Sequence, residues 1–362
     1  MGSAAACHLA RRGLRVLALE QFVPGHDRGS SHGLTRIIRL AYHEHPSYVP
    51  LMRRAFELWR DLEAAEPFPL LHVTGSLDIG REGSRVLEGS RSSCEAHGLQ
   101  HEVLASSEVR ARFPGYELPD EYHAIFQPDG GFLEPERCIA AHVSRALALG
   151  ATVRTGGRVH GWRARDGGVE VRSGGETFHA AQVVFCGGPW IPGLVPRLAP
   201  VLTVERQVVA WFAVDDHARF TPQAFPVFNL LSNHGHFYGF PEFGVPGFKV
   251  GRYHHRSERA DADHPDREVR AADETVLREC LRECFPAASG ALLRASTCLF
   301  TNAPDEHFII DRVPESPAAI VVSACSGHGF KFCSVIGEIV ADLVSSGRTE
   351  HDISRFRIDR FD

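Results

Sequence analysis

The chain opens on small and apolar residues at helical spacing. Gly2–Arg12 (GSAAACHLARR) predicts a helix, Gly13 breaks it, and Arg15–Leu19 (RVLAL) predicts a short buried strand ending at Glu20. A Gly/Ser/His loop follows, Gly29–Arg39 (GSSHGLTRIIR). Tyr48–Ala65 sets Val49, Met52, Phe56 and Trp59 on one face and predicts an amphipathic helix. Val73–Ile79 predicts a strand, and Glu134–Leu149 a helix closed by Gly150. Two β-hairpins are expected, turning at Asp166-Gly167-Gly168 and Ser173-Gly174-Gly175. Gln182–Cys186 (QVVFC) is a continuous apolar strand running into Gly187-Gly188. From about Val201 to Thr301 aromatic residues alternate in short runs (VVAWFAV, FYGFPEF, FKVGRY), interrupted by a charged helical stretch, Glu268–Phe285. Ala319–Ala324 (AIVVSA) predicts a last buried strand. The turn Cys325–Gly329 then leads into a helix with Phe332, Val335, Ile336, Ile339, Val340 and Leu343 at helical spacing and Lys331 on its first turn.

Helix, tight turn, strand and terminal acid are the second half of a dinucleotide-binding βαβ unit, in which the acid accepts from an adenosine ribose. The strand–Gly-x-Gly–helix at Gly327 and Gly329 has the same style and aims a helix N-terminus at an electron-rich group. The fold class expected is therefore α/β plus antiparallel β. A Rossmann-like cofactor domain takes residues 1–72, 134–195 and 302–362, and an inserted β-rich substrate domain takes 73–133 and 196–301. A length of 362 residues suits two domains at roughly 150 residues each.

A formal net charge of -6 leaves no basic field for nucleic acid or an anionic membrane. No apolar run approaches the roughly 18 residues of a membrane span, and the start lacks the regions of a signal peptide. Nine cysteines without a CxxC pair suit a reducing compartment, so a cytoplasmic protein is expected. Of 39 basic residues only Lys249 and Lys331 are lysine. An ammonium is a point charge with a movable pKa, whereas a guanidinium is a planar fork, so two surviving lysines mark two places where arginine would not serve. Arg36 and Arg39, three apart and flanked by Ile37, Ile38 and Leu40, are candidates for bidentate carboxylate binding. The histidine clusters His43-Glu44-His45, His234/His236 and His254-His255 lack zinc-site spacing, and Cys325-Ser326-Gly327-His328-Gly329 does not supply the GxSxG elbow of a serine hydrolase.

With these residues in view, the chain resembles the monomeric sarcosine oxidase family, FAD-dependent amine oxidases that include N-methyltryptophan oxidase and pipecolate oxidase. The segments that carry the resemblance are GSSHGLTRIIR, YGFP (Tyr238–Pro241), TCLFTNAPDEHFIID (Thr297–Asp311) and SGHGFKF (Ser326–Phe332). The resemblance implies FAD attached covalently through its 8α-methyl group to Cys298. It implies a substrate carboxylate held by Arg39 and Lys331, oxygen activation by Lys249, and an active-site tyrosine at Tyr238. Arg36, Thr35, His32, Gly2, Glu20, Val159, Gly327, Gly329 and Lys331 fall among cofactor-lining positions, and Arg36, Tyr238, Lys249 and His254 are the catalytic candidates. The implied reaction oxidises a secondary amine, an N-methyl or cyclic α-amino acid, to an imine, with oxygen reduced to hydrogen peroxide by a monomer. A same-fold dehydrogenase feeding an electron carrier and a non-catalytic flavin-fold protein are the alternatives.

Three departures stand out. Phe300 replaces a tyrosine two residues after the flavin-linking cysteine. Tyr253 stands four residues after Lys249 where the family has histidine, with His254 and His255 next, so either an insertion or a replacement explains it. Finally, a dinucleotide fold opens with a strand and Gly-x-Gly-x-x-Gly, and only the third glycine, Gly2, has a counterpart. The expectation is a frame that starts upstream of Met1; the alternative is a chain that binds FAD poorly.

Overall fold

The computed structural model describes all residues, Met1–Asp362. The helix Gly2–Arg11 buries Ala4, Ala5, Ala6 and Cys7 because it is wedged between two other helices, Pro135–Ala148 and Cys333–Ser346. Gly337 makes the second contact close: a Cβ there would stand 2.7 Å from the Ala4 carbonyl. The strand Leu17–Leu19 pairs in parallel with Thr152–Arg154, Leu17 opposite Thr152. The strand Val183–Phe185 pairs in parallel with Ser316–Ser323, whose other edge takes Ile309–Val313 antiparallel. Leu17–Leu19 and Val183–Phe185 thus each have one paired edge, and both line one cavity.

Both hairpins form, as the meander Val159–Arg165, Gly168–Ser173 and Glu176–Ala180. Gly174 and Gly175 both take positive φ, 56° and 82°, which the tight two-residue turn requires. The expected aromatic strands build an eight-stranded sheet in the order Leu292–Asn302, Thr203–Phe212, Phe248–Arg252, Gly235–Phe240, Val227–Ser232, Ser76–Arg81, Tyr122–Gln127, Glu102–Ala105. It is antiparallel except where Val227–Ser232 runs parallel to Ser76–Arg81. Its core stacks Phe212, Phe220, Phe225, Phe228, Phe248 and Phe285 beneath the helix Ala271–Cys284. A separate core joins the helices Gly2–Arg11, Tyr48–Glu63 and Cys333–Ser346 with the inner strands. A small sheet, Arg36–Ile38, Gly131–Leu133 and Leu71–Val73, lies between the Gly/Ser/His loop and the large sheet. No helix is long and apolar enough to cross a membrane.

Several expectations are corrected. Val73–Ile79 is two strands in different sheets, because Gly75 (φ 76°) turns the chain and donates its N–H to the Gly130 carbonyl. The charged helix starts at Ala271 rather than Glu268, where the Asp273 carboxylate accepts the Arg270 N–H (2.9 Å) and caps it. Lys331 sits in a 3₁₀ turn, Phe330–Phe332, and the α-helix starts after it at Cys333. The helices Arg85–His97 and Ser106–Arg112 and the strand Tyr122–Gln127 went unpredicted, the helices because their polar faces dilute the apolar period.

Candidate active site

One cavity of about 1450 Å³ runs from the N-terminal helix to the sheet of aromatic strands. Ten of the predicted site residues line it: Gly2, Glu20, His32, Arg36, Val159, Tyr238, Cys298, Gly327, Gly329 and Lys331. They arrive from elements far apart in sequence. Glu20 follows the strand Leu17–Leu19, Cys298 sits on Leu292–Asn302, Tyr238 on Gly235–Phe240, and Lys331 in the turn after Ser316–Ser323.

The Gly/Ser/His loop is pinned by a carboxylate. Glu136 Oε1, at the start of the helix Pro135–Ala148, accepts from the Gly33 N–H (2.7 Å) and the Leu34 N–H (3.2 Å). Gly33 (φ 99°) and Leu34 (φ 72°) are both left-handed there. Arg36 holds the loop from the other side, donating to the Thr35 and Ser30 carbonyls at 2.8 Å each. His32 is buried, its pKa lowered to about 4 by burial and then by the neighbouring Arg36, and its Nε2 has no protein partner.

Lys249 and Thr35 do not line the cavity; they lie just behind this loop. The Lys249 ammonium donates to the Gly33 carbonyl (2.6 Å), Thr35 Oγ1 (2.9 Å) and the Thr35 carbonyl (3.1 Å), and stands over the Phe240 and Trp211 rings. Burial, then Arg36, drives its pKa well down. Burial raises the Cys298 thiol, while Arg36 and Lys249 pull it back toward the thiolate.

Lys331 is buried at 4% exposure but reaches the cavity, donating to the His328 carbonyl (2.8 Å). Burial and then Arg39 lower its pKa to about 7, against the upward pull of Glu44 and Asp78. His328 is held neutral by burial, near pKa 4. Its Nε2–H donates to the Glu306 carbonyl (2.9 Å), and Nδ1 accepts the Tyr42 hydroxyl (2.6 Å).

Arg39 departs from expectation: it is not on the cavity wall. Its guanidinium lies at 1% exposure against the Tyr42 ring, 4.5 Å from the centroid, with Lys331 Nζ 5.3 Å from the same ring. Nη2 donates to Glu44 Oε2 (2.9 Å) and Oε1 (3.1 Å) and to His43 Nδ1 (2.9 Å), and Nη1 to the Ala41 carbonyl. Two residues of the weighed metal cluster, His43 and Glu44, are thus spent on this guanidinium.

His254 is also corrected. Its ring nitrogens are taken by Glu205 and Glu306, 2.9 Å each, which raise its pKa to about 9, and it lies off the cavity. Tyr253, four residues after Lys249, is the residue on the wall. Its ring stacks on His236 (4.4 Å) and meets Tyr238 edge-on (5.1 Å), and Phe300 adjoins it (6.1 Å). Asp78 and Glu44, both against Arg39, went unnoticed as site residues. The available signal for Asp78 was an acid inside an otherwise apolar strand, GSLDI.

The residues fit a flavin dinucleotide. The unpartnered Nε2 of buried His32 and the free backbone N–H groups of Gly327 and Gly329 face one cavity long enough to be met by Glu20 at one end and Cys298 at the other. The chain is 39% identical to the monomeric sarcosine oxidase of Bacillus sp. (strain NS-129), over 99% of this chain and 94% of that protein. It is 36% identical to the N-methyl-L-tryptophan oxidase of Shigella dysenteriae serotype 1 (strain Sd197), over 100% and 96%. Among solved structures, NikD, an unusual amino acid oxidase essential for nikkomycin biosynthesis, matches with a TM-score of 0.83 and 27% identity over 98% of this chain and 94% of that one. L-proline dehydrogenase from P. horikoshii shares the fold, with a TM-score of 0.84 and 19% identity over 99% and 94%. The family model DAO, FAD dependent oxidoreductase, matches residues 1–343, and the chain belongs to that family.

Proposed function

We propose that this protein oxidises a secondary amine, an N-methyl or cyclic α-amino acid, to the imine, and that oxygen is the electron acceptor and hydrogen peroxide the product. The observation that carries the reading is one cavity lined together by Cys298, His32, Arg36, Lys331, Tyr238 and Tyr253. FAD, when bound, accepts the electron pair of C–N oxidation and hands it to oxygen. The chain's residues position and tune. Below about pH 7 the Lys331 ammonium holds the substrate carboxylate, and Arg39, one tyrosine ring away, completes the clamp when its Nη edge turns from Glu44. Neutral His328, Tyr238 and Tyr253 offer the amine no anionic partner, so burial beside them and the nearby Lys331 and Arg39 cations favour the deprotonated amine. Lys249, when it carries its proton, supplies the positive charge that stabilises the superoxide formed during reoxidation, even though burial holds its pKa down. We assign a cysteinyl flavin linkage to Cys298, ribose recognition to Glu20, and cofactor lining to Gly2, Val159, Gly327 and Gly329.

The same reading assigns 1–72, 134–195 and 302–362 to the cofactor domain and 73–133 and 196–301 to the substrate domain, in a cytoplasmic monomer. The test is anaerobic titration of flavin-loaded protein with N-methyl and cyclic amino acids. The flavin should bleach, and air should restore it with one peroxide per flavin. Restoration only by an added electron carrier assigns a dehydrogenase instead.

A further inference from the structure

The buried guanidinium of Arg39 faces two carboxylates, not one. Glu44 takes the Nη2 edge. On the opposite edge, Asp78 Oδ1 stands 3.8 Å from Nε, and that Nε–H makes no hydrogen bond although it is fully enclosed. Asp78 is itself 1% exposed; burial pushes its pKa up, and Arg39 together with the hydrogen bonds donated by the Ser90 hydroxyl to Oδ2 (2.7 Å) and the Asn229 amide to Oδ1 (2.9 Å) works in favour of the anion. It projects from Ser76–Arg81 where that strand pairs with Val227–Ser232, Asp78 opposite Asn229. A carboxylate at this position is costly to bury, and the cation it faces is Arg39.

The charge count follows. Arg39 contributes one positive charge, Glu44 and Asp78 two negative, and Lys331 one positive when protonated; His43, His236 and His328 are kept neutral by burial. With Asp78 ionised, the cluster offers an incoming anion no net positive charge. Without it, the same cluster carries one. Two unit charges at about 4 Å attract by roughly 4 kcal/mol at an effective dielectric of 20, so an anion a few ångströms further away feels the difference clearly.

We propose that Asp78 is a specificity-determining residue that holds Arg39 back from the cavity and weakens the pocket's grip on carboxylates. Asp78 faces the Nε edge of the guanidinium at 3.8 Å, Glu44 binds its Nη edge, and a ligand carboxylate must compete with both. The pocket therefore selects its substrate by what surrounds the amine, the Tyr238, Tyr253 and Phe300 walls, more than by the α-carboxylate. The inference rests on the amine-oxidase reading, in which the ligand is a carboxylate.

The experiment uses flavin-loaded protein at pH 6.5, where Lys331 is mostly protonated. Propionate, a carboxylate without an oxidisable amine, is titrated against the flavin spectrum of the wild type, Asp78→Asn and Asp78→Ser. The expected result is a propionate Kd lowered about five- to tenfold in both variants. Damage to packing loosens binding and does not tighten it, so a gain separates the electrostatic role from a structural one. At pH 8 the gain should shrink or vanish, because Lys331 without the upward pull of Asp78 gives up its proton sooner; Arg39, Glu44 and His328 are the other groups facing it. Should one variant not fold, the other carries the comparison; Asp78→Glu keeps the charge and should leave Kd within twofold. An unchanged or raised Kd in a folded, flavin-loaded charge-removing variant overturns the inference while leaving the oxidase reading intact. A wild type that neither responds to propionate nor oxidises any N-methyl amino acid overturns both.

Discussion

Two lysines among 37 arginines were the sequence's clearest pointer, and they end up in different surroundings, Lys331 on the cavity wall and Lys249 behind the loop. Lys249 is locked by three oxygens behind the loop, and Lys331 has a single hydrogen bond and an open side. Lys249→Met should slow reoxidation of reduced flavin by oxygen far more than its anaerobic reduction by substrate; stopped-flow of the two half-reactions tells, and equal reoxidation rates would remove its oxygen role. Lys331→Met should raise KM by roughly ten- to hundredfold, the worth of one charge-assisted bond of about 1.5–3 kcal/mol. Because the Lys331 pKa lies at about 7, carboxylate affinity in the unmutated protein should fall as pH rises through 7, and Lys331→Met should abolish that limb. Cys298→Ala should release flavin that otherwise stays with the denatured chain through gel filtration. What the sequence hid at this scale was Arg39's setting. Its partners Glu44 and Asp78 are five and 39 positions away, and only the sheet brings the second within reach. His254 was misjudged for a related reason, since adjacent residues in a turn point to opposite sides and only Tyr253 faces in.

Elements with a strong period were legible: the helices Tyr48–Glu63 and Pro135–Ala148, the two hairpins, and the strand before Gly327. Elements that mix burial with polarity were not, such as Arg85–His97, where buried Ser90 and Ser93 interrupt the apolar stripe because they hydrogen-bond to Asp78 and the Tyr42 carbonyl. Two element-level devices yield expectations. Gly337 lets the helices Gly2–Arg11 and Cys333–Ser346 touch backbone to backbone, so Gly337→Ala should cost about 1–3 kcal/mol by urea denaturation and lower flavin content. The His254 imidazolium ties the turn after Phe248–Arg252 to Glu205 and to the loop carrying Glu306, next to His328. Its folded pKa, about 9, exceeds the unfolded value near 6.5, so its stabilisation is complete below about pH 6.5 and is lost as pH rises through 9. The melting temperature should therefore decline between pH 6.5 and 9.5 more in the unmutated protein than in His254→Gln. Parallel declines would show that the clamp does not contribute.

At the scale of the whole molecule, one long cavity is built from both ends of the chain and from its middle, which is why no single segment reveals it. The central claim, that this cavity oxidises amino acids at a C–N bond with oxygen, is tested most directly by a peroxide-coupled screen of N-methyl and cyclic α-amino acids on flavin-loaded protein in air. Peroxide should form with at least one of them and be lost in Lys331→Met at substrate concentrations near the original KM. Flavin that is present but neither bleached without air nor turned over with it, across the whole set, would contradict the account.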